Sequence, residues 1–136
     1  MSPVADVVAL RAAAEGAMRC AYAPYSTFRV GAALRAVDGT IIAGCNVENA
    51  SYPAGSCAER GALAAAVARG YQQFTHVVVV TEAEEPTPPC GICRQALVEF
   101  APFIQIISFT TSGAEARWSL ADLLPHPFTP QSLHHA

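Results

Sequence analysis

The sequence contains no lysine, and its eight basic side chains are arginines scattered along a chain of 136 residues. The formal net charge is −3 and the pI is near 5.7, so the chain lacks the clustered positive charge that binds a phosphate backbone. No run of about 20 apolar residues is present, and the N-terminus lacks the basic and apolar regions of a signal peptide. We therefore expect neither a nucleic acid polymer nor a membrane as a partner.

Charged residues are also scarce, at 14% of the chain, whereas 52% of the residues are hydrophobic. The hydrophobic share is sufficient for one core, and the low charge suggests that part of the surface is buried against other subunits. The five cysteines are an odd number without an export signal, which favours a reducing compartment and hence a cytoplasmic protein. In that setting, closely spaced cysteines indicate a metal or catalytic site more often than disulfides.

Apolar periodicity predicts alternating helices and strands within a single domain over residues 1–136. Asp38-Gly39 predicts a tight hairpin turn with positive φ at both positions, and residues 129–136 are expected to form an irregular tail. Because helices that connect strands cover both faces of a sheet, the predicted fold class is α/β, a three-layer αβα sandwich around a central mixed five-stranded sheet. Helices are expected at residues 4–22, 57–69, 90–101 and 120–124, and strands at 28–34, 40–46, 76–81, 104–109 and 117–119.

Two short motifs carry the chemistry of this sequence, Cys57-Ala58-Glu59 and Pro89-Cys90-Gly91-Ile92-Cys93. Each stands at the start of a predicted helix, and the helix and strand between them place both helix starts at the same end of the sheet. Three thiolates on Zn²⁺ leave one tetrahedral position open, as a catalytic zinc site requires. We therefore predict that Cys57, Cys90 and Cys93 bind one zinc ion.

The residues after Cys57 are expected to complete this site. Zinc with three thiolates has one excess negative charge, which the partial positive charges of two helix starts offset. Arg60 is expected to donate to a ligand sulfur and so to tune the zinc. Glu59 is predicted to move protons, because a carboxylate two residues after a ligand reaches water at the open position. Since Ser56-Cys57-Ala58-Glu59 also fits a capping box, a purely structural role for Glu59 is the alternative.

The cysteines alone are also compatible with two different kinds of site. A Cys-x-x-Cys pair at a helix start is typical of thioredoxin-like redox proteins, but that role would leave Cys57 and Glu59 unexplained. A closed structural zinc site would need a fourth ligand, for which Cys45 and His76 are candidates. Cys45 lies in a strand pattern, and we expect both it and Cys20 to be core residues.

The two motifs together make the sequence resemble the small cytidine deaminases, a branch of the zinc-dependent nucleoside and nucleobase deaminases. The resemblance runs from about residue 20 to 128, and it includes residues 25–34, 46–52 and 123–128. With cysteine at all three ligand positions, the sequence is similar to the homotetrameric branch. The resemblance implies one Zn²⁺ per subunit and hydrolysis of free cytidine and 2′-deoxycytidine to uridine and 2′-deoxyuridine plus ammonia, a step of pyrimidine salvage.

The resemblance also implies roles for residues that meet the substrate. Asn46 and Glu48 are expected to bind ribose hydroxyls, since an amide and a carboxylate can pair with a diol. Ala58 is expected to contact the substrate, and Phe28 to pack on the pyrimidine. Without the resemblance, a solvated loop at residues 46–48 and an ordinary core phenylalanine at residue 28 would be the alternatives. Glu59 is expected to take a proton from the attacking water, pass it to N3 of the ring and protonate the leaving amine.

Two aromatic residues are expected at boundaries between subunits. Phe128 is expected to reach the active site of a neighbouring subunit, with packing inside its own chain as the alternative. Tyr52 is expected to support the pocket wall between subunits. Rival functions are a sister enzyme such as a blasticidin S deaminase, a polynucleotide deaminase, which the acidic charge disfavours, and a zinc scaffold without activity, which would have no use for Glu59.

Overall fold

The computed structural model describes residues 3–134, and its centre is a mixed sheet with the strand order β2-β1-β3-β4-β5. β3 and β4 pair in parallel, whereas β1 is antiparallel to both β2 and β3, and β4 to β5. β2 and β3 therefore run in the same direction although β1 lies between them. The strands are β1 (Val30–Ala36), β2 (Ile41–Cys45), β3 (Phe74–Thr81), β4 (Gln105–Thr110) and β5 (Glu115–Ser119).

Helices cover both faces of this sheet. One core joins α1 to residues such as Val78 and Ile107, and the other joins α2 and α3 to Val77 and Val79. Because successive side chains of β3 enter opposite cores, the predicted three-layer αβα sandwich is confirmed. Within residues 3–134, no helix is long and apolar enough to cross a membrane. The helices are α1 (Pro3–Met18), α2 (Ala58–Ala68), α3 (Gly91–Val98), α4 (Leu120–Leu123) and α5 (Pro130–His134).

Two glycines in the hairpin allow the helices to lie directly on the sheet. A Cβ atom at Gly44 would be 2.4 Å from the backbone nitrogen of Ala62 and 2.9 Å from the carbonyl oxygen of Ala58 in α2. A Cβ atom at Gly31 would be 1.8 Å from the carbonyl oxygen of Ala14 in α1. The absence of side chains at these positions therefore determines how close α2 comes to β2 and how close α1 comes to β1, a feature that local sequence pattern does not predict.

The hairpin between β1 and β2 turns at Asp38-Gly39, as predicted, but the turn is of another kind. The amide of Gly39 donates to the carbonyl of Ala36 at 2.9 Å, and the amide of Ala36 donates to Thr40 at 2.8 Å. Only Gly39 has a positive φ, of 93°. The loop is thus a β-turn followed by a left-handed glycine, a three-residue loop instead of the expected two-residue turn.

The irregular tail predicted for residues 129–136 is wrong over Pro130–His134, which form α5. Thr129 caps this helix: the Ser132 amide donates to Thr129 Oγ1 at 3.4 Å, and the Thr129 amide donates to Ser132 Oγ at 3.3 Å. Pro130 occupies the first helical position, where its missing N–H has no cost. The Thr129-Pro130 pair is therefore the sequence signal for this helix, which is too short for apolar periodicity to reveal. Residues 135 and 136 lie outside the described residues.

Candidate active site

The starts of α2 and α3 lie at the end of the sheet where β2 and β3 finish, and they bring three cysteines together. Cys57 is the N-cap residue of α2, Cys90 is the N-cap residue of α3, and Cys93 lies in the first turn of α3. Their three Sγ atoms lie within 4.8 Å of one another. The Sγ atoms of Cys57 and Cys90 are 3.7 Å apart, and those of Cys90 and Cys93 are 3.4 Å apart.

This spacing fits a tetrahedral metal ion. A Zn–S distance of about 2.3 Å with tetrahedral angles places two ligand sulfurs about 3.8 Å apart, close to both measured separations. His76 lies near the start of β3, whereas the cluster lies beyond the end of that strand. Among residues 3–134, neither His76 nor Cys45 contributes a ligand atom to the cluster. Three protein ligands leave one tetrahedral position open, as in a catalytic zinc site rather than a closed structural one.

Arg60 places positive charge beside the sulfur atoms. Its Nη2 donates to Cys57 Sγ at 3.9 Å, while its Nε is buried without a hydrogen-bond partner. Burial raises the pKa of the Cys57 thiol, and the Arg60 hydrogen bond opposes part of that shift. Arg60 therefore lies where the sequence predicted it, in contact with a ligand sulfur.

The thiols of α3 differ in how their surroundings act on them. For Cys90, burial raises the pKa, but hydrogen bonds with Cys93 and Cys57 outweigh it, so the pKa falls below its ordinary value. For Cys93, burial followed by the charges of Glu59 and Cys57 raises the pKa strongly. The Cys57 and Cys93 thiols therefore resist ionisation until a cation binds, because a metal ion deprotonates the thiols that coordinate it. The donor set therefore suits a divalent metal.

Glu59 is the second residue of α2 and is only 5% exposed. The capping box does not form: the N-cap residue is Cys57, without a side-chain cap, and Ser56 Oγ instead bonds to the carbonyl of Cys57 at 3.3 Å. Burial raises the pKa of Glu59, while its own backbone amide, the Cys93 thiol and the Arg60 charge oppose part of the shift. The carboxyl group is therefore buried beside the cysteine cluster and takes no part in a capping box.

A cavity of about 500 Å³ opens beside Cys57 and Arg60, and Asn46, Glu48 and Tyr52 form part of its wall. This volume is within the range of small-molecule pockets, about 300–1,000 Å³. The structure thus brings the predicted ribose-binding stretch to the same cavity as a metal ligand. The other lining residues are Tyr25, Ser26, Val47, Asn49, Gly55 and Ser56.

Backbone bridges hold this stretch next to the metal ligand. Val47 and Ser56 exchange two hydrogen bonds, of 3.0 and 2.9 Å, so the loop that leaves β2 returns directly before Cys57. On the other side, the Tyr22 amide donates to Asn46 at 3.0 Å, and the Glu48 amide donates to Tyr22 at 2.8 Å. The two hydroxyl-binding candidates are therefore fixed by main-chain contacts on both flanks.

The Asn46 side chain organises the residues that precede β1. Its Nδ2 donates to the carbonyl of Phe28 at 2.8 Å, and its Oδ1 accepts from the amide of Val30 at 2.8 Å. β1 consequently begins at Val30 and not at residue 28, where the sequence predicted it. Each amide atom of Asn46 keeps one further hydrogen-bonding position for a ligand. Phe28 is 38% exposed, so it is not an ordinary core residue, and it is not among the residues that line the cavity.

Glu48 is bound by the turn that precedes Phe28, a contact that was not predicted from the sequence. Its Oε1 accepts from the amides of Tyr25 and Ser26 at 3.0 and 3.1 Å, and its Oε2 accepts from Ser26 Oγ. The Ser26 bonds, and then the Tyr25 amide, hold the pKa of Glu48 below its ordinary value. Thr27 follows with a φ of 59°, which is rare for a β-branched residue. The carboxylate is therefore ionised and fixed in orientation.

The remaining predicted residues have different surroundings. Ala58 is fully buried at the first position of α2, where its amide has no partner within the helix. Tyr52 is 77% exposed and meets the ring of Tyr25 edge-on at 6.3 Å. Phe128 is 60% exposed and does not line the cavity of its own chain. Cys20 is exposed, so its prediction as a core residue is wrong; the short turn after α1 carries it to the surface.

Comparison with known proteins adds an independent line of evidence. Residues 5–110 match the model of the cytidine and deoxycytidylate deaminase zinc-binding region. A cytidine deaminase of Sporosarcina psychrophila is 43% identical over 132 residues, which cover 96% of this chain and 97% of that protein.

Solved structures agree with this match. The crystal structure of cytidine deaminase from Burkholderia pseudomallei is similar with a TM-score of 0.86 and 45% identity, covering 94% of this chain and 100% of that chain. That of cytidine deaminase from Mycobacterium tuberculosis has a TM-score of 0.77 and 36% identity, covering 90% and 97%. Since the matched zinc-binding region contains all three clustered cysteines, the chain belongs to the cytidine and deoxycytidylate deaminase family of hydrolytic enzymes.

Proposed function

We propose that this protein is a zinc-dependent cytidine deaminase that converts free cytidine and 2′-deoxycytidine to uridine and 2′-deoxyuridine with release of ammonia, a step of pyrimidine salvage. The observation that carries the proposal is the cluster of three Sγ atoms within 4.8 Å, with the buried Glu59 and a small-molecule cavity beside it. Relatives named cytidine deaminase that match almost the whole chain support it.

In this proposal Cys57, Cys90 and Cys93 hold one zinc ion per chain. A zinc ion with three protein ligands supplies a Lewis acid with an open position, which activates water there. The N-termini of α2 and α3 and the Arg60 guanidinium offset the negative charge of three thiolates. These positive charges would allow the zinc site to lower the pKa of a bound water although its three ligands are negatively charged sulfurs.

Glu59 moves the protons of the reaction. Its carboxylate accepts one proton from the attacking water and delivers it to N3 of the cytosine ring. It then takes the second proton from the hydroxyl group now on C4 and gives it to the amine, which leaves as ammonia while the C4–O bond becomes a carbonyl. Because Glu59 is almost completely buried, the proton passes between carboxylate and substrate rather than into bulk water. A positioned group of this kind contributes about 10²- to 10⁴-fold to a rate.

Residues at the cavity wall bind and orient the nucleoside. Asn46 and Glu48 bind the ribose hydroxyls through the hydrogen-bonding positions that their intramolecular contacts leave open. Phe28 and Ala58 do not line the cavity itself, and in this proposal both contact the base, Phe28 by packing on the pyrimidine and Ala58 from the buried start of α2. This arrangement suits one free nucleoside, and the absence of clustered positive charge argues against a polynucleotide substrate.

The proposed active unit is a homotetramer of single-domain chains in the cytoplasm, with each site at a boundary between subunits. The exposed rings of Tyr52 and Phe128 and the low charge of the chain support this assembly. Phe128 then acts in a neighbouring subunit. The five cysteines, which form no disulfide within residues 3–134, support a reducing location, where free thiols persist.

The proposal is tested by following the ultraviolet change as cytidine becomes uridine, with and without a zinc chelator. We expect turnover that the chelator abolishes, and a loss of about 10²- to 10⁴-fold in kcat for Glu59→Gln, which should retain its zinc. Glu99→Gln, the same change on an exposed residue at the end of α3, is the control and should behave as wild type. Ammonia release from blasticidin S but not from cytidine would assign the protein to the sister enzymes instead.

The shared site is tested by mixing Glu59→Gln subunits with Phe128→Ala subunits under conditions that allow exchange. A mixed tetramer contains sites that pair an intact Glu59 with an intact Phe128 from a neighbour. Activity above the sum of the two separate variants supports action across subunits. Activity equal to that sum would show that Phe128 serves its own chain.

A further inference from the structure

The C-terminal arm, defined as residues 123–128, is attached to the metal-binding helix by two neighbouring side chains. Arg94 Nη1 donates to the carbonyl of Leu123 at 3.0 Å, and Gln95 Nε2 donates to the carbonyl of Phe128 at 2.8 Å. Both donors directly follow Cys93 in α3. The two ends of the C-terminal arm are thus held by the turn of helix that carries a metal ligand.

The chain between these two hydrogen bonds has little freedom of its own. Pro125 and Pro127 fix two backbone φ angles and remove two N–H donors, so the segment cannot continue α4. Leu123 is the last residue of α4, where a carbonyl has no partner within the helix, and Arg94 supplies that partner. The position of the exposed Phe128 ring therefore follows the position of α3.

Arg94 also reaches the segment before the second metal ligand. Its Nε donates to the carbonyl of Pro89 at 2.8 Å. The peptide plane that carries the Pro89 oxygen also contains the Cys90 nitrogen, so this bond restricts the backbone that orients the Cys90 side chain. The fork of one guanidinium thus links the Cys90 segment to the base of the arm, a task that the compact ammonium of lysine cannot perform at both carbonyls.

We propose that Arg94 and Gln95 are positioning residues that couple the zinc-binding helix to the arm presenting Phe128. Arg94 keeps the Cys90 segment and the base of the arm in one fixed relation, and Gln95 holds the tip of the arm. The inference rests on the proposed function, in which Phe128 meets the nucleoside in a neighbouring subunit. Both residues act through Phe128 and Cys90 and touch no reacting atom.

The first test removes the donor at residue 95. Gln95→Glu keeps the length and shape of the side chain but offers no donor to Phe128. We expect KM for cytidine to rise about fivefold to tenfold with kcat within about twofold, since one hydrogen bond is lost. Gln95→Lys retains a donor and should restore most of the wild-type KM. Gln72→Glu adds the same charge on an exposed loop residue and serves as the control.

Hydrogen exchange gives a second readout that does not depend on turnover. The Thr129 amide shares a peptide plane with the Phe128 carbonyl and donates to Ser132 Oγ at 3.3 Å. It should exchange at least about tenfold faster in Gln95→Glu than in wild type, because the tip of the arm is released. If the wild-type protein left cytidine unchanged, the proposed function would be refuted, but the exchange measurement would still test how Gln95 holds the arm. Unchanged exchange and KM in Gln95→Glu would overturn the positioning role, as would a raised KM without faster exchange.

A third measurement tests the coupling through Arg94. Arg94→Lys should release zinc to a coloured chelator about tenfold faster than wild type, as expected for partners that orient a metal ligand. It should also raise the exchange rate of the C-terminal arm, whereas Gln95→Glu should release zinc within about twofold of the wild-type rate. Zinc release at the wild-type rate in Arg94→Lys would show that the Cys90 segment does not depend on this side chain.

Discussion

The contact between Gly44 and α2 predicts that one added methyl group disturbs the metal site from a distance. In Gly44→Ala, the new Cβ would lie 2.4 Å from the Ala62 nitrogen and 2.9 Å from the Ala58 oxygen, whereas ordinary contacts begin at 3.4 Å. Both neighbours are backbone atoms, so relief requires α2 to move away from β2 by about 1 Å. Metal–ligand distances tolerate only about 0.2 Å, so Cys57 would leave its ligand position.

The expected magnitudes follow from this displacement. Overpacking of this kind costs about 1–3 kcal/mol, which corresponds to a fall of about 3–11 °C in the unfolding midpoint for a domain of this size. Zinc affinity should fall at least about tenfold, because one of three ligands is misplaced. Thermal unfolding with and without zinc, together with chelator competition, measures both effects.

Gly16→Ala is the matched control for this substitution. Apart from the neighbouring backbone of α1, no atom lies within 4 Å of a Cβ atom at Gly16, which is inside that helix. The same chemical change should therefore stabilise the protein, by about 0.5–1 kcal/mol, because alanine favours a helix interior over glycine. If Gly44→Ala matched Gly16→Ala in stability and zinc affinity, the claim that the β2–α2 contact sets the metal site would be refuted.

Further predictions concern the turn before β1 and the thiols. The pKa of Glu48 is lowered in the folded state, so the ionised Glu48 stabilises the protein above its unfolded pKa, and this stability is lost as pH falls through the folded pKa. Ser26→Ala should therefore move this loss to higher pH in acid unfolding curves. An unchanged curve would contradict the Ser26 contact. Thr27→Asn should raise the free energy of unfolding by up to about 1 kcal/mol, because asparagine tolerates a positive φ better; no gain in chemical denaturation would mean that Thr27 is not strained. In zinc-loaded protein the exposed Cys20 should react first with a thiol reagent, and Cys57 only after chelation; equal rates without a chelator would argue against metal binding.

Features that follow from local pattern were predictable from the sequence. The valine run at residues 77–80 predicted the central strand, because a strand covered on both faces needs apolar residues in succession. Cys57 and Cys90 each stand one residue before a helix, so the helix signals and the motif spacing together located the cluster. The fold class and the site of the metal ligands were therefore available from periodicity and spacing.

Features that depend on contacts between distant segments were not predictable. Gly44 appears in the sequence as an ordinary strand residue, and only the packing of α2 shows why a side chain is excluded there. Glu48 was expected to bind a ribose hydroxyl, and its hydrogen bonds to Ser26, which join segments 22 residues apart, were not predicted. Cys20 looked apolar in pattern, yet its exposure depends on where the turn after α1 leads. Such contacts have no local signal.

The central claim is that three cysteine thiolates hold a zinc ion with one position left open beside Glu59. X-ray absorption spectroscopy at the zinc edge of the purified protein tests it most directly, since it counts sulfur and lighter neighbours around the metal. We predict three sulfur neighbours at about 2.3 Å and one oxygen neighbour. Four sulfur neighbours, or a zinc ion without sulfur neighbours, would contradict this claim.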